Sequence, residues 1–146
     1  FEKTVYNDIP FKYEAGTPNI GGAVGLAAAI RYVSGLGLDN IAAHEQKLTD
    51  MAVEGLKAMP RLTVLAPDVP HSAVVSVLAG GIHHYDLGTL LDQMGIAVRT
   101  GHHCCQPLMC ALGTTGTTRA SFALYNTEEE VQTFLKSMNR ALDMLS

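Results

Sequence analysis

The sequence predicts an α+β fold, a two-layer α/β sandwich in which helices cover one face of a small, mostly antiparallel sheet. Three observations carry that prediction. The C-terminal stretch sets Val131, Phe134, Leu135, Met138, Ala141, Leu142 and Leu145 at helical spacing. Ser72 to Leu78 (S-A-V-V-S-V-L) and Thr118 to Leu124 (T-R-A-S-F-A-L) read as strands instead. Gly and Pro punctuation then divides the chain into the order α-α-β-β-α-β-β-α.

The elements follow in order. Residues 1–15 carry no helical period and, with Asn7-Asp8 and Pro10, read as irregular or extended. Thr17-Pro18-Asn19 opens the first helix, with Thr17 as a cap and Pro18 at the first helical position. The Ala-rich run to Ser34 suits close packing on other backbone, and Gly35 and Gly37 end it. Asp39 or Asn40 caps a second helix. Its apolar stripe is Leu48, Met51, Ala52, Gly55, Leu56 and Met59, with Glu45, Lys47, Asp50, Glu54 and Lys57 outside it, and Pro60 stops it. Leu62 to Leu65 is a short strand, Pro67 and Pro70 bracket a turn, and Gly80-Gly81 end the strand from Ser72. Asp86 to Met94 is a short helix closed by Gly95. Ile96 to Arg99 is a strand that enters a cysteine-containing loop. Gly113 to Thr118 (G-T-T-G-T-T) reads as a mobile loop, and Thr127 with Glu130 makes a capping box for the last helix.

At 146 residues the chain is sized for one domain with one core, and an apolar share of 47% places it among globular rather than disordered sequences. A net charge of −4 with scattered cations gives no electrostatic case for nucleic acid or for an anionic membrane. The longest apolar run, Gly21 to Ile30, is too short to span a bilayer. Phe1-Glu2-Lys3 does not resemble a signal peptide, and a start without Met in mid-domain-like sequence reads as a piece of a longer protein. Three cysteines clustered within residues 104–110 fit a functional thiol in a reducing compartment better than a disulfide framework, which points to the cytoplasm.

Arg99 to Met109 reads R-T-G-H-H-C-C-Q-P-L-M. Thiolate is the reactive form of cysteine and forms where positive charge or hydrogen-bond donors lie close. Arg99 and His103 supply both within five residues of Cys104, which makes Cys104 a candidate nucleophile. A buried cysteine beside a turn is the plainer alternative. A zinc site is a third; counted from Cys104, Cys110 is too far for a C-x₂₋₄-C hook, and Cys105 leaves little room for a second one. Arg119, in a strand with small and apolar neighbours, is either a fork for a carboxylate, or half of a structural ion pair or an edge-strand position. The Thr17 hydroxyl is either a helix cap or a phosphate contact. His83-His84 precede or cap a helix and receive no role.

At R-T-G-H-H-C-x-Q-P-L-M the chain resembles the SUF-type cysteine desulfurases, the group that includes selenocysteine lyase-like members. These are pyridoxal 5'-phosphate enzymes of the class V aminotransferase family, with fold type I. Phe11 to Asn19 (F-K-Y-E-A-G-T-P-N), Ala29 to Ile41 (A-I-R-Y-V-S-G-L-G-L-D-N-I) and Thr118 to Val131 (T-R-A-S-F-A-L-Y-N-T-E-E-E-V) are similar to the same family in the same order. The resemblance implies that Cys104 is the persulfide-forming cysteine and that Arg119 holds the substrate carboxylate. It implies that Arg99 is a second active-site arginine, and that Thr17 reaches the cofactor phosphate of the other subunit of a homodimer. L-Cysteine is then the substrate, alanine the product, and a Suf-type acceptor protein for Fe–S cluster assembly the partner, with no nucleic acid or membrane involved.

Two departures qualify the likeness. The family's cofactor-binding lysine sits in a His-Lys pair, and none of Lys3, Lys12, Lys47, Lys57 and Lys136 has that context. The resemblance therefore implies the C-terminal third of the enzyme: residues 1–18 as a lead-in from the large domain, and 19–146 as the small domain carrying the reactive-cysteine loop (99–118). Such a chain is expected to be inactive alone. Cys105 stands where a small residue is commoner, and with Cys110 it adds oxidation partners. A stand-alone thiol-redox or sulfur-carrier domain and a small zinc-binding module are the alternatives.

Overall fold

The computed structural model describes residues 2–145, and contacts divide the chain into two compact units, 1–38 and 39–146. In the first, a 3-10 turn at Phe11–Tyr13 precedes helix α1, Ile20–Leu36. The cap of α1 is Asn19, whose side chain accepts from the Gly22 N–H at 3.0 Å. This corrects the expectation that Thr17 caps, because the helix begins three residues later than Thr17. Gly35 lies inside the helix. Gly37 ends it at φ 88, a left-handed backbone that suits glycine, with its N–H donating to Val33 and Ser34 carbonyls. No residue of α1 is buried, contrary to the expected close packing. Ile20, Val24, Leu26, Ile30 and Tyr32 all stand more than half exposed.

In the second unit, α2 spans Leu38–Lys57. Asp39 and Asn40 lie in its first turn rather than at its cap. A carboxylate there still suits the positive end of the helix dipole. Strands β1 (Leu62–Val64), β2 (Val74–Ala79), β3 (Arg99–Gly101) and β4 (Thr117–Ser121) form one sheet in the order β1-β2-β4-β3, with every neighbouring pair antiparallel. Helices α3 (His84–Gln93), α4 (Gln106–Ala111) and α5 (Glu128–Met144) complete it.

Alternation assigns the two sheet faces. Register places Val64 opposite Val77, Val75 opposite Ala120, and Val77 opposite Thr118. These residues are buried, and the core joins them to Leu48, Ala52 and Leu56 of α2, Leu87 and Leu91 of α3, and Val131, Met138 and Leu142 of α5. The other face carries Ser76, Thr117, Arg119 and Arg99. The expected sandwich is therefore present, with its helical layer on one side.

Polar contacts tie α5 to its surroundings. The Thr127 hydroxyl accepts from the Glu130 N–H and the Glu130 carboxylate accepts from the Thr127 N–H, completing the expected capping box. Lys47 of α2 pairs with Glu128, His44 Nε2 bonds the Asn126 carbonyl at 2.9 Å, and Arg61 donates to the Leu142 carbonyl.

Three differences from the sequence reading lie around the cysteine loop. Ile96–Val98 do not pair; the Ile96 N–H closes α3 by donating to Leu91 O, and Ile96 and Val98 pack on the core, so β3 starts at Arg99. Strand β4 ends at Ser121, three residues before Leu124, and takes Thr117 and Thr118 out of the loop. Helix α4 was read as loop, because in a six-residue helix Met109 is the one buried residue and no stripe is visible.

Candidate active site

The register of β3 against β4 puts Arg99 directly opposite Arg119, and that of β2 against β4 puts Ser76 on Arg119's other side. All three side chains therefore share the face away from the helices. Like charges directly opposite one another destabilise a sheet. Among the described residues the ion pairs are Lys47–Glu128 and Lys57–Asp68, so neither arginine has a carboxylate partner. Arg119 is half-buried, and its Nε is buried without a hydrogen-bond partner. Of the readings open for Arg119, the structural ion pair is not formed, and β4 is not an edge strand. An unsatisfied guanidinium donor beside a second guanidinium has the chemistry to take an anion with two oxygens.

The loop after β3 is a tight turn. Gly101 leaves the strand at φ 108, and the Cys105 N–H donates to the His102 carbonyl at 2.8 Å, closing His102–Cys105. Both central residues, His103 and Cys104, have positive φ (52 and 57), the signature of a type I′ turn. The Cys104 N–H donates to His102 Nδ1 at 3.1 Å. The turn pushes Cys104 outward, and its thiol is free and exposed, as are those of Cys105 and Cys110. Cys105 is the N-cap residue of α4.

His103 points the other way. Its Nε2 is hydrogen-bonded to Thr117 Oγ1 at 2.9 Å, and Thr117 sits on the arginine face, two residues before Arg119. Its Nδ1 is buried without a partner. Burial, then the positive charge of Arg119, hold its pKa below the ordinary histidine value; a hydrogen bond to the Thr117 backbone opposes them, and Arg99 and His102 add to the lowering. The sequence suggested His103 as a neighbour of the thiol; its bond instead goes to the sheet.

The other histidines belong to the start of α3. His83 Nδ1 accepts from the Tyr85 N–H, which confirms the capping role left open for it. The His84 ring lies 4.2 Å from that of His83 and, with the Gly101 backbone, leaves no room for a Cβ at Gly116. Burial lowers the His84 pKa first, and His83 and His102 lower it further against the pull of Asp86. Among the described residues, no three His, Cys, Asp or Glu side chains group as metal ligands.

Thr17 belongs to the first unit, exposed and without a capping bond. A hollow of about 460 Å³ lies between α3 and α5 beside Leu90, Lys136 and Arg140, with none of the candidate residues in its wall. Sequence reasoning missed Thr117 and Ser76 altogether. The only local signal was the T-T-R run of β4, whose alternation puts Thr117 and Arg119 on one face.

The profile of the Aminotransferase class-V family matches residues 1–134. The chain is 43% identical over 145 residues to a probable cysteine desulfurase of Vibrio cholerae, covering 99% of this chain and 36% of that protein. It is 48% identical over 139 residues to a cysteine desulfurase of Escherichia coli, covering 95% of this chain and 34% of that one. Among solved structures it superimposes on the apo cysteine desulfurase of Thermococcus onnurineus NA1 with a TM-score of 0.86 and 46% identity, over 92% of this chain and 34% of that one. The Escherichia coli cysteine desulfurase CsdA, crystallised as its S-sulfonic acid, gives 0.85 and 38%, over 92% of this chain and 33% of that one. The chain thus spans about a third of the length of the curated relatives it matches. With a family profile running over nearly the whole sequence and a shared fold, the chain belongs to the class-V aminotransferase family.

Proposed function

We propose that this chain is the C-terminal part of a pyridoxal 5'-phosphate-dependent cysteine desulfurase, the part that grips the substrate carboxylate and receives its sulfur. The arginine pair carries the reading. Two guanidiniums face each other across β3 and β4 without a carboxylate, and the Cys104 turn follows β3 directly. The residues present fit the cofactor in part. The Thr17 hydroxyl, unused in capping α1, suits a phosphate, in this reading the one bound in the other subunit of a homodimer. None of the five lysines has the context of a cofactor lysine, so that residue belongs to the remainder of a longer protein. Residues 1–18 then lead in from its large domain and 19–146 form the small one. The exposed apolar residues of α1 suit contact with such a remainder.

When bound, the cofactor supplies an electron sink for the bonds at the substrate α-carbon. The chain's own residues do the rest. Arg119 takes both carboxylate oxygens of L-cysteine, and Arg99 opposite adds the second charge. Holding the substrate makes attack by Cys104 effectively intramolecular. The Cys104 thiolate attacks the substrate sulfur; an S–S bond forms as the C–S bond breaks, and the carbon takes a proton. Alanine leaves and Cys104 retains a persulfide, with no outside oxidant required. An exposed turn suits delivery of that sulfur to an acceptor protein of the Suf type for Fe–S cluster assembly, in the cytoplasm. The test is alanine release from L-cysteine by the enzyme that contains this chain. Cys104→Ser abolishes it, and retained turnover in that variant removes Cys104 from the role.

A further inference from the structure

We propose that His103 is a positioning residue for Cys104: docked on Thr117 at the arginine face, its imidazole fixes the left-handed turn that presents the thiol. The inference rests on the role proposed for Cys104 and adds what holds that residue in place.

The first reason is the cost of the turn. Type I′ turns favour Gly and Asn, because a side chain with a Cβ disfavours positive φ by roughly 1–2 kcal/mol per residue. Here both central positions carry bulky residues, His103 and Cys104. The closing bond, Cys105 N–H to His102 O, with that of the Cys104 N–H to His102 Nδ1, is a modest return for two such residues. A turn so composed persists when something beyond its own backbone holds it.

The second reason is what holds it. His103 Nε2 and Thr117 Oγ1 are 2.9 Å apart, and Thr117 is only 1% exposed, so the anchor is a fixed part of the sheet. The connection is short: Cys104 is joined to His103, His103 to Thr117, and Thr117 stands two residues before Arg119 on the same face. The thiol turn is thereby indexed to the residue that grips the substrate. A loop free to drift loses this registration, and a displacement on the scale of an ångström is enough to slow an in-place attack severely.

The third reason is charge. The groups facing the His103 ring are Arg119 from β4, Arg99 from β3 and His102 from its own loop. None is acidic, so a proton on His103 adds a third positive charge to the arginine face. Burial and these charges disfavour a proton on the ring, and its buried Nδ1 has no hydrogen-bond partner.

The test uses the holoenzyme that contains this chain. Single-turnover persulfide formation and the KM for L-cysteine are measured for wild type, Thr117→Val, Thr117→Ser, His103→Ala and His103→Gln. Thr117→Val keeps the shape and removes the hydroxyl; Gln places a polar atom near the Nε2 position. Thr117→Val and His103→Ala are expected to slow persulfide formation at saturating cysteine at least about tenfold, with KM within about twofold. Thr117→Ser and His103→Gln recover most of the rate. A readout without turnover accompanies it: in amide NMR spectra, Thr117→Val shifts the Cys104 and Cys105 signals, Thr117→Ser restores them, and α5 signals stay put. Wild-type rates in both Thr117→Val and His103→Ala, or a loss confined to KM, overturn the positioning role. Turnover surviving in Cys104→Ser instead overturns the desulfurase reading, so the two failures are distinct.

Discussion

Replacing Arg119 by Met separates binding from stability. The substitution keeps an unbranched apolar stem in the half-buried site and removes the charge that stands opposite Arg99. Two unfavourable contributions disappear from the unliganded protein. Like charges directly opposite on neighbouring strands cost about 0.2–1 kcal/mol, at the low end here because Arg99 is exposed and screened. The buried Nε without a partner costs about 1–3 kcal/mol. Allowing for imperfect repacking of the Met stem, the variant is expected to be more stable by about 1–2 kcal/mol. For a chain of this size each kcal/mol moves the melting temperature by roughly 2–4 °C. The assay is thermal unfolding of the unliganded chain at low and high salt, with and without a dicarboxylate. Wild type gains stability from the carboxylate, and Arg119→Met does not. A variant less stable than wild type without ligand would refute the reasoning, because Arg119 would then be a structural residue and not a vacant grip.

Further outcomes follow from the core and from titration. Leu91 is fully buried between α3 and the sheet, and Leu91→Ala is expected to cost about 2–5 kcal/mol, read by urea denaturation. Asn126 and the Thr127 N–H hold the Glu130 carboxyl below its ordinary pKa. Its contribution is present above the unfolded-state value and lost as pH falls through the folded one, so Glu130→Gln reduces the acid sensitivity of helix α5 followed by circular dichroism. His84 and His103 have lowered pKa values, so the unfolded chain binds protons that the folded chain refuses. Stability therefore falls as pH drops through the ordinary histidine range, and His103→Gln removes part of that slope.

Local signals made much of the fold legible. Helix α5 announced itself by seven apolar positions at one spacing and by T-x-x-E at its start, and β2 by an apolar run ended by two glycines. Both depend on neighbours in sequence, as the physics of caps and turns does. Helix α4 escaped because six residues with one buried side chain show no period. The cap of α1 went to Asn19 over Thr17 because both are good caps and only the helix start decides between them. At the site, Cys104, Arg99 and Arg119 were each visible as chemistry in search of a partner. Their arrangement was not, since it is set by which strands pair and in what register. Arg99 faces Arg119 across twenty residues of chain, and His103 meets Thr117 across fourteen. Alternation within β4 put Thr117 beside Arg119, but nothing local said that a histidine would reach it.

The most direct measurement is the mass of the Cys104 peptide after the cofactor-loaded enzyme meets sulfur-labelled L-cysteine without reductant. The account predicts one added label atom on Cys104, released by thiol reductant and absent in Cys104→Ser, with alanine formed in equal amount. Label on Cys105 or Cys110 with Cys104 unmodified, or alanine formed at full rate in Cys104→Ser, would contradict it.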